Sequence, residues 1–341
     1  MSGLGSSVRG VGTHRWLESV WYDGAPSGAW LIPFGWIFAG LTDLRRGLYG
    51  SGMLPSYGVD VPVIVVGNIT VGGTGKTPLV IWLVEELRRR GFRPGVVSRG
   101  FGGSATGPTL VAPSMDAHEV GDEPLLIAAR THCSVVVARD RVAGARFLCD
   151  SGVDVIIADD GLQHYRLRRN CEVAVIDGER RLGNGRLLPA GPLRESRSRL
   201  AIVDLIAVNG GAFMAGGLAM HLIDGRARAL ADGTERALEA FSGEPVHAVA
   251  GIGNPRRFFA ALRRRGLNLI EHPFPDHHAF RPDDLDFGDA RPVLMTEKDA
   301  VKCRSFTRAG WWTVPVSVEF DARTAEYFMA AILRRIVKRV R

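Results

Sequence analysis

Residues Val61–Thr77, VPVIVVGNITVGGTGKT, run an apolar β-branched stretch into a glycine-rich turn that closes on Gly75, Lys76 and Thr77. That order of residue types suits phosphate chemistry. Gly72, Gly73 and Gly75 leave the backbone bare, so its N–H groups can close around an anion. Lys76 adds a point charge for β- and γ-phosphates, and the Thr77 hydroxyl can ligate Mg²⁺. Thr70, Val71, Gly72, Gly73, Thr74, Gly75, Lys76 and Thr77 are therefore expected to bind a nucleoside triphosphate, with Lys76 also assisting catalysis. The strict phosphate-loop pattern has glycine where this chain has Thr70. Pro78–Arg90 reads as the helix whose positive end faces the anion. The plain alternative is a Gly-rich strand–helix turn that binds nothing; the lysine, the hydroxyl and the preceding strand argue against it.

A second stretch, Val155–His164 (VIIADDGLQH), ends an apolar strand in Asp159 and Asp160. Carboxylates at the carboxyl end of a sheet strand, beside a phosphate loop, can hold Mg²⁺ directly or through water. Either acid alone could merely cap the following turn. Three further loops carry unusual polar text: Arg99 in VSRGF, Asp122 and Glu123 in GDEP, and His277 and His278 in FPDHHAF. Taken singly, each has an ordinary account as a solvated charge, a helix N-cap or a loop histidine.

These residues need a frame. Pro94–Ser98, Ser134–Ala138, Val153–Ala158, Val173–Asp177 and Asp204–Val208 read as buried strands alternating with helical stretches. Such alternation predicts an α/β fold of phosphate-loop NTPase type, a mostly parallel sheet with helices on both faces. Residues 51–214 would form that domain, 215–238 a hairpin-like connection, and 239–320 a second, smaller α/β domain. The turn Gly251–Pro255 lacks the third glycine of a dinucleotide fingerprint and reads as tight backbone packing. Residues 321–341 read as a basic amphipathic helix.

Forty-three Lys and Arg against 36 Asp and Glu give a net charge of +7, which suits anionic partners without choosing among them. The four cysteines show no metal-ligand spacing, as expected of small core residues in a reducing compartment. No signal peptide is recognisable at the N-terminus. Within residues 1–50, Ala29–Tyr49 carries an apolar block shorter than the ~20 residues needed to cross a bilayer, followed by Arg45 and Arg46. Trp30, Phe34, Trp36 and Phe38 with that basic edge predict a helix lying in the headgroup region; packing on the protein's own core is the alternative.

Taken together, the chain resembles the tetraacyldisaccharide 4′-kinase family, the lipid A 4′-kinases of Gram-negative bacteria. The likeness rests on VGNITVGGTGKTP (Val66–Pro78), SRGF (Ser98–Phe101), GDEP (Gly121–Pro124), ARDR (Ala138–Arg141) and DDGLQH (Asp159–His164). It continues through LLPAGPLRE (Leu187–Glu195), FPDHHAF (Phe274–Phe280) and TEKDAVK (Thr296–Lys302), and runs from about Pro33 to the C-terminus. The family's loop also lacks the leading glycine, and Phe101 stands where the family often has tyrosine. The resemblance implies ATP- and Mg²⁺-dependent phosphorylation of the 4′-hydroxyl of a lipid A disaccharide 1-phosphate, to form lipid IVA. It places the chain peripherally at the cytoplasmic face of the inner membrane, touching an anionic membrane surface. It also implies Asp122 as base, His277 as its orienting partner, and Thr77, Asp159 and Asp160 at the metal. Arg99, Glu123, Arg141, Gln163 and His164 would line the acceptor or nucleotide site.

A membrane-associated ATPase or GTPase switch uses a similar loop and paired acids. It would carry an NKxD-like loop or a lysine early in the phosphate loop, and neither is found; positions 70 and 71 are Thr70 and Val71. A nucleic-acid partner is not expected, because the cluster Arg166, Arg168 and Arg169 has no aromatic stacking platform beside it.

Overall fold

The computed structural model describes residues 16–211, 214 and 216–337. Residues 1–15, 212, 213, 215 and 338–341 lie outside the described residues; they include the start of the expected interfacial segment, part of the expected connection and the end of the basic helix.

A nine-stranded sheet is ordered Val316–Glu319, Leu218–Asp224, Leu205–Asn209, Cys171–Asp177, Val63–Gly67, Val155–Asp159, Pro94–Ser98, Ser134–Val137 and Thr109–Leu110. All inner pairings are parallel, and antiparallel pairing is confined to the two ends. Every residue of Val63–Gly67 is buried. Its alternating side chains enter two apolar layers, Ile64 and Val66 on one face and Val63 and Val65 on the other. Helices Lys76–Arg89, Asp122–Thr131 and Ala322–Ile336 supply Leu83, Leu125 and Phe328 to the first layer, and Arg141–Asp150 supplies Leu148 to the second. Both faces are thus covered, as a parallel sheet requires. Each such side chain contributes roughly 1.5–3 kcal/mol on burial, so a charge at Val65 would break the frame that delivers the loop.

A smaller six-stranded sheet is ordered Glu235–Arg236, Ala227–Ala229, Trp311–Val314, Val293–Thr296, Val246–Ala250 and Leu269–Pro273. Helix Pro255–Arg264 packs on it through Phe258, Phe259 and Leu262. The division of the chain differs from expectation. Residues 215–238 hold a crossing between units and a hairpin, and they also build both sheets: Leu218–Asp224 belongs to the large one, and Ala227–Ala229 paired with Glu235–Arg236 to the small one. Val316–Glu319, expected in the second domain, returns to the large sheet beside Leu218–Asp224. The chain therefore crosses between units twice, side by side, with the Gly225 N–H donating to the Pro315 carbonyl at 2.8 Å.

Helix Ile32–Gly50 leans on the large unit where Gly35 meets the loop after Arg186; a Cβ there would stand 3.2 Å from Ala190 Cβ and from the Leu187 carbonyl. Its outer face carries Phe34, Trp36, Ile37, Leu41 and Leu44, all more than half exposed, with Trp36 at 72%. Core packing does not account for this face. Among the described residues no helix is long and apolar enough to cross a membrane.

Candidate active site

Strand Val63–Gly67 ends in a loop whose Gly72 and Gly75 adopt φ of 98° and 97°, the left-handed region that a side chain resists. At Gly75 a Cβ would also strike Asn209 Nδ2, at 2.7 Å. The loop is braced from outside, with the Val71 N–H donating to the Pro192 carbonyl at 2.8 Å and the Arg194 N–H to the Ile69 carbonyl at 2.7 Å. From within, Asn209 Nδ2 donates to the Thr74 carbonyl at 3.0 Å, and Asn209 in turn accepts from Arg257 of the smaller unit at 2.8 Å. The buried Thr74 hydroxyl has no hydrogen-bond partner among the described residues. Helix Lys76–Arg89 begins directly at the loop, so Lys76 and Thr77 occupy its first turn.

The two acids after Val155–Ala158 have opposite environments. Asp159 is buried; one oxygen accepts from Ser98 Oγ at 3.3 Å and Oδ1 has no partner among the described residues. Burial first, then the charges of Glu123 and Asp160, pushes its carboxyl up to about 7. Burial also works to raise Asp160, but Lys76 and Arg194 outweigh it and hold that carboxyl at about 2. Arg194 binds both Asp160 oxygens, at 3.1 and 3.0 Å, and Lys76 Nζ stands 3.6 Å away. An unpartnered buried carboxylate oxygen, on the strand paired with the one that feeds the Lys76–Arg89 helix, fits a hard divalent cation, which takes oxygen ligands. Asp159, with Thr77 in the first turn of that helix, meets that description better than Asp160, whose oxygens are already engaged.

Asp122 opens helix Asp122–Thr131 and is buried. One oxygen accepts from the Glu123 N–H at 2.9 Å, and the other lies 3.1 Å from His277 Nδ1, brought from the smaller unit. Burial alone would raise the Asp122 carboxyl; the His277 hydrogen bond and the Lys298 ammonium outweigh it and hold it below the ordinary value. The same hydrogen bond raises His277 against burial and Lys298. His277 has φ of 60° and Asp160 φ of 48°, so two of the groups assembled here sit in backbone strain held by their surroundings.

A cleft of about 410 Å³ opens between Asp160 and helix Ile32–Gly50, and Asp122 and His277 line a neighbouring recess that shares Phe101 with it. Arg99, Glu123, Asp160, Gln163 and Arg194 line its polar end, and Phe38, Thr42 and Arg45 line its far wall. Gln163 is held there by donating to the Asn68 carbonyl at 3.0 Å and to Glu195 at 2.8 Å. Phe101 lies at the rim, its ring 4.9 Å from that of His277. Two expected site residues stand elsewhere. Arg141 is buried and donates to the carbonyls of Asp159 and Asp160 at 3.3 and 2.9 Å, so it supports the loop after that strand from behind. His164 does not line the cleft; burial and then Arg141 and Arg169 push its imidazole down to about 4, leaving it neutral. Arg194 and Lys298, by contrast, are central and were not singled out from sequence as site residues, although both fall inside the quoted motifs LLPAGPLRE and TEKDAVK.

A fully buried strand, a phosphate loop, a helix starting at Lys76 and a buried acid with an open oxygen define a phosphate-loop phosphotransferase. A family model described as tetraacyldisaccharide-1-P 4′-kinase matches residues 27–336. The tetraacyldisaccharide 4′-kinase of Methylobacillus flagellatus is 50% identical over 329 residues, covering 96% of this chain and 98% of the relative. That of Halorhodospira halophila is 52% identical over 307 residues, covering 89% and 91%. The crystal structure of the "apo" form of LpxK from Aquifex aeolicus in complex with ATP superposes with a TM-score of 0.76 at 29% identity, covering 91% of this chain and 99% of that one. The chain belongs to the tetraacyldisaccharide 4′-kinase family.

Proposed function

We propose that this chain transfers the γ-phosphoryl group of ATP to the 4′-hydroxyl of the tetraacyldisaccharide 1-phosphate precursor of lipid A, giving lipid IVA and ADP. The observation that carries this reading is the cleft itself. Its polar end holds Asp160, Glu123 and Arg194, and its far wall is a helix with a bare apolar outer face, a division that suits an acceptor with a charged sugar head and acyl tails.

A sugar hydroxyl is barely ionised near neutrality, so attack on phosphorus needs a base within hydrogen-bond reach. Asp122 takes the hydroxyl proton as the oxygen–phosphorus bond forms and the bond from γ-phosphorus to the bridging oxygen of ADP breaks. His277 aims the carboxylate. Lys76 and the loop N–H groups hold the phosphates, and Arg99 stands at the cleft to steady the transferred charge. Thr77 and Asp159 would hold Mg²⁺, which neutralises phosphate charge when bound. Arg194 keeps Asp160 beside Lys76, and Gln163 and Glu123 face the sugar. Helix Ile32–Gly50 lies in the headgroup region at the cytoplasmic face of the inner membrane, with anionic lipid drawn to Arg45 and Arg46.

Incubation of the full chain with ATP, Mg²⁺ and the tetraacyldisaccharide 1-phosphate, followed by mass spectrometry of the lipid, tests the assignment. The expected product is heavier by one phosphate, in step with ADP release. ATP hydrolysis of equal rate with and without the acceptor, and no phosphorylated lipid, would overturn it in favour of a nucleotide switch.

A further inference from the structure

Lys298 lies in the short helix Glu297–Ala300, directly after strand Val293–Thr296 of the smaller unit. Its neighbours fasten that turn to two other elements and cap it from within. Glu297 accepts from Arg130 at 2.7 Å, Asp299 accepts from the Gly251 N–H at 2.9 Å, and Thr296 Oγ1 accepts from the Asp299 N–H at 3.2 Å. With the backbone fixed, the Lys298 ammonium stands among four groups of the site. Nζ is 3.2 Å from Asp276 Oδ1, 3.3 Å from Glu123 Oε1, 3.5 Å from His277 Nε2 and 3.8 Å from Asp122 Oδ2.

An ammonium donates and cannot accept. Its contact with His277 Nε2 is productive only when that nitrogen carries a lone pair. The ring proton then sits on Nδ1, the nitrogen that faces Asp122 at 3.1 Å. A proton on Nε2 would instead point at Nζ, with Asp276 Oδ2 at 3.8 Å as its alternative acceptor. The remaining cation near Asp122 is Lys302 at 4.0 Å, already paired with Asp299 at 2.8 Å. We propose that Lys298 is a positioning residue that fixes His277 as its neutral Nδ1–H tautomer and thereby keeps the Asp122 carboxylate unprotonated and aimed at the acceptor hydroxyl. Its position between Glu123 and Asp276 also makes the arrangement conditional on the two units being together. Its charge works in the same sense, helping to hold Asp122 low and opposing the rise that the Asp122 hydrogen bond gives His277. The inference rests on the reading of Asp122 as the base.

The test joins kinetics to ¹⁵N-histidine NMR on the full chain. At about pH 8.5, where an ordinary imidazole is neutral, His277 of the unaltered protein should show the Nδ1–H tautomer. A wild-type His277 protonated on Nε2 would overturn the proposal at once. Lys298→Met should lower kcat about tenfold, leave the KM for ATP within about twofold, and mix the two tautomers. It should also move the acid limb of kcat upward by roughly one pH unit, the low end of what an adjacent cation does to a carboxylate. Lys298→Arg should restore the limb. Should Lys298→Met not fold, Lys298→Gln, whose uncharged amide can donate to or accept from Nε2 and so no longer selects a tautomer, replaces it with the same expectations. Equal loss of kcat at every pH, with limb and tautomer unchanged, would mean a structural lysine only. Asp122→Ala separates the two readings: near-normal turnover in that variant overturns the base itself, whereas an inactive variant beside an unmoved Lys298→Met limb overturns only the role of Lys298.

Discussion

At the phosphate end of the site, the groups come from one continuous stretch, Thr70–Thr77, joined by Asp159 from the neighbouring strand. At the acceptor end, Asp122 of the large unit meets His277 and Lys298 of the small one, across sequence separations of 155 residues and more. The first end is braced by the sheet and by the segment around Pro192, and meets the smaller unit where Arg257 bonds Asn209 and where Gly253 lies against Gly73. The second end exists only while the two units touch. In the proposed reading, phosphoryl transfer is thus expected to be more sensitive than nucleotide capture to any change in how the units meet.

The sharpest way to break that contrast is Lys76→Ala. Removal of a cation that meets developing phosphate charge should cost roughly 10³–10⁵ in kcat, with the fold kept and thermal unfolding little changed. Residual turnover within tenfold of normal would show that the phosphate end is not where Lys76 acts.

Next come the acceptor-end pair. Asp122→Ala and His277→Ala should each lower kcat by about 10²–10⁴ while leaving ATP affinity nearly intact. Because one group aims the other, the double variant should be little slower than the worse single, a strongly non-additive cycle. Losses that multiply would assign the two residues to separate tasks.

The pH profile sharpens the same point with a definite sign. As the proposed base, Asp122 would have to be ionised to take a proton, and its folded value lies below the ordinary carboxylate, so activity should hold through neutrality and fall only as pH drops through that low value. In His277→Ala the first opposing influence disappears and burial prevails, so the acid limb should move up by about one pH unit. A limb that stays in place in that variant would mean that some other group sets it.

The smallest effect belongs to the link between the ends. Arg257→Ala removes one hydrogen bond to Asn209, worth about 0.5–1.5 kcal/mol, and should raise the KM for ATP between about two- and tenfold with kcat nearly unchanged. A fall in kcat with KM constant would place Arg257 in chemistry instead.

The phosphate loop and the acids after it are legible from residues alone, because strand, bare loop, lysine and helix lie in one local run. The parallel sheet was equally open to reading, since Val63–Gly67 and Val155–Asp159 are continuous apolar strands buried on both faces. Arg141 shows where such reading stops: an arginine beside a metal loop looks like a ligand contact, and only the packing reveals it holding carbonyls from behind. Lys298 and Arg194 gain their importance from carboxylates distant in sequence, which no local pattern displays. The positive φ of His277 and Asp160 is likewise set by the surroundings and not by residue type. The hairpin-like text within 215–238 is legible as such, since Ala227–Ala229 pairs with Glu235–Arg236. What local text does not display is that Leu218–Asp224 joins the large sheet beside Leu205–Asn209.

The double crossing at Gly225 and Pro315 has a mechanical meaning. A single tether lets two bodies swivel freely, but two adjacent strands hydrogen-bonded at the waist act like the leaves of a door hinge, permitting swing about one axis and resisting rotation about the others. Parting of the small unit from the large one would then follow a single arc, and His277 would come back to Asp122 at the same angle on every return. Reproducible aim across a long gap in sequence follows from how the joint is stitched.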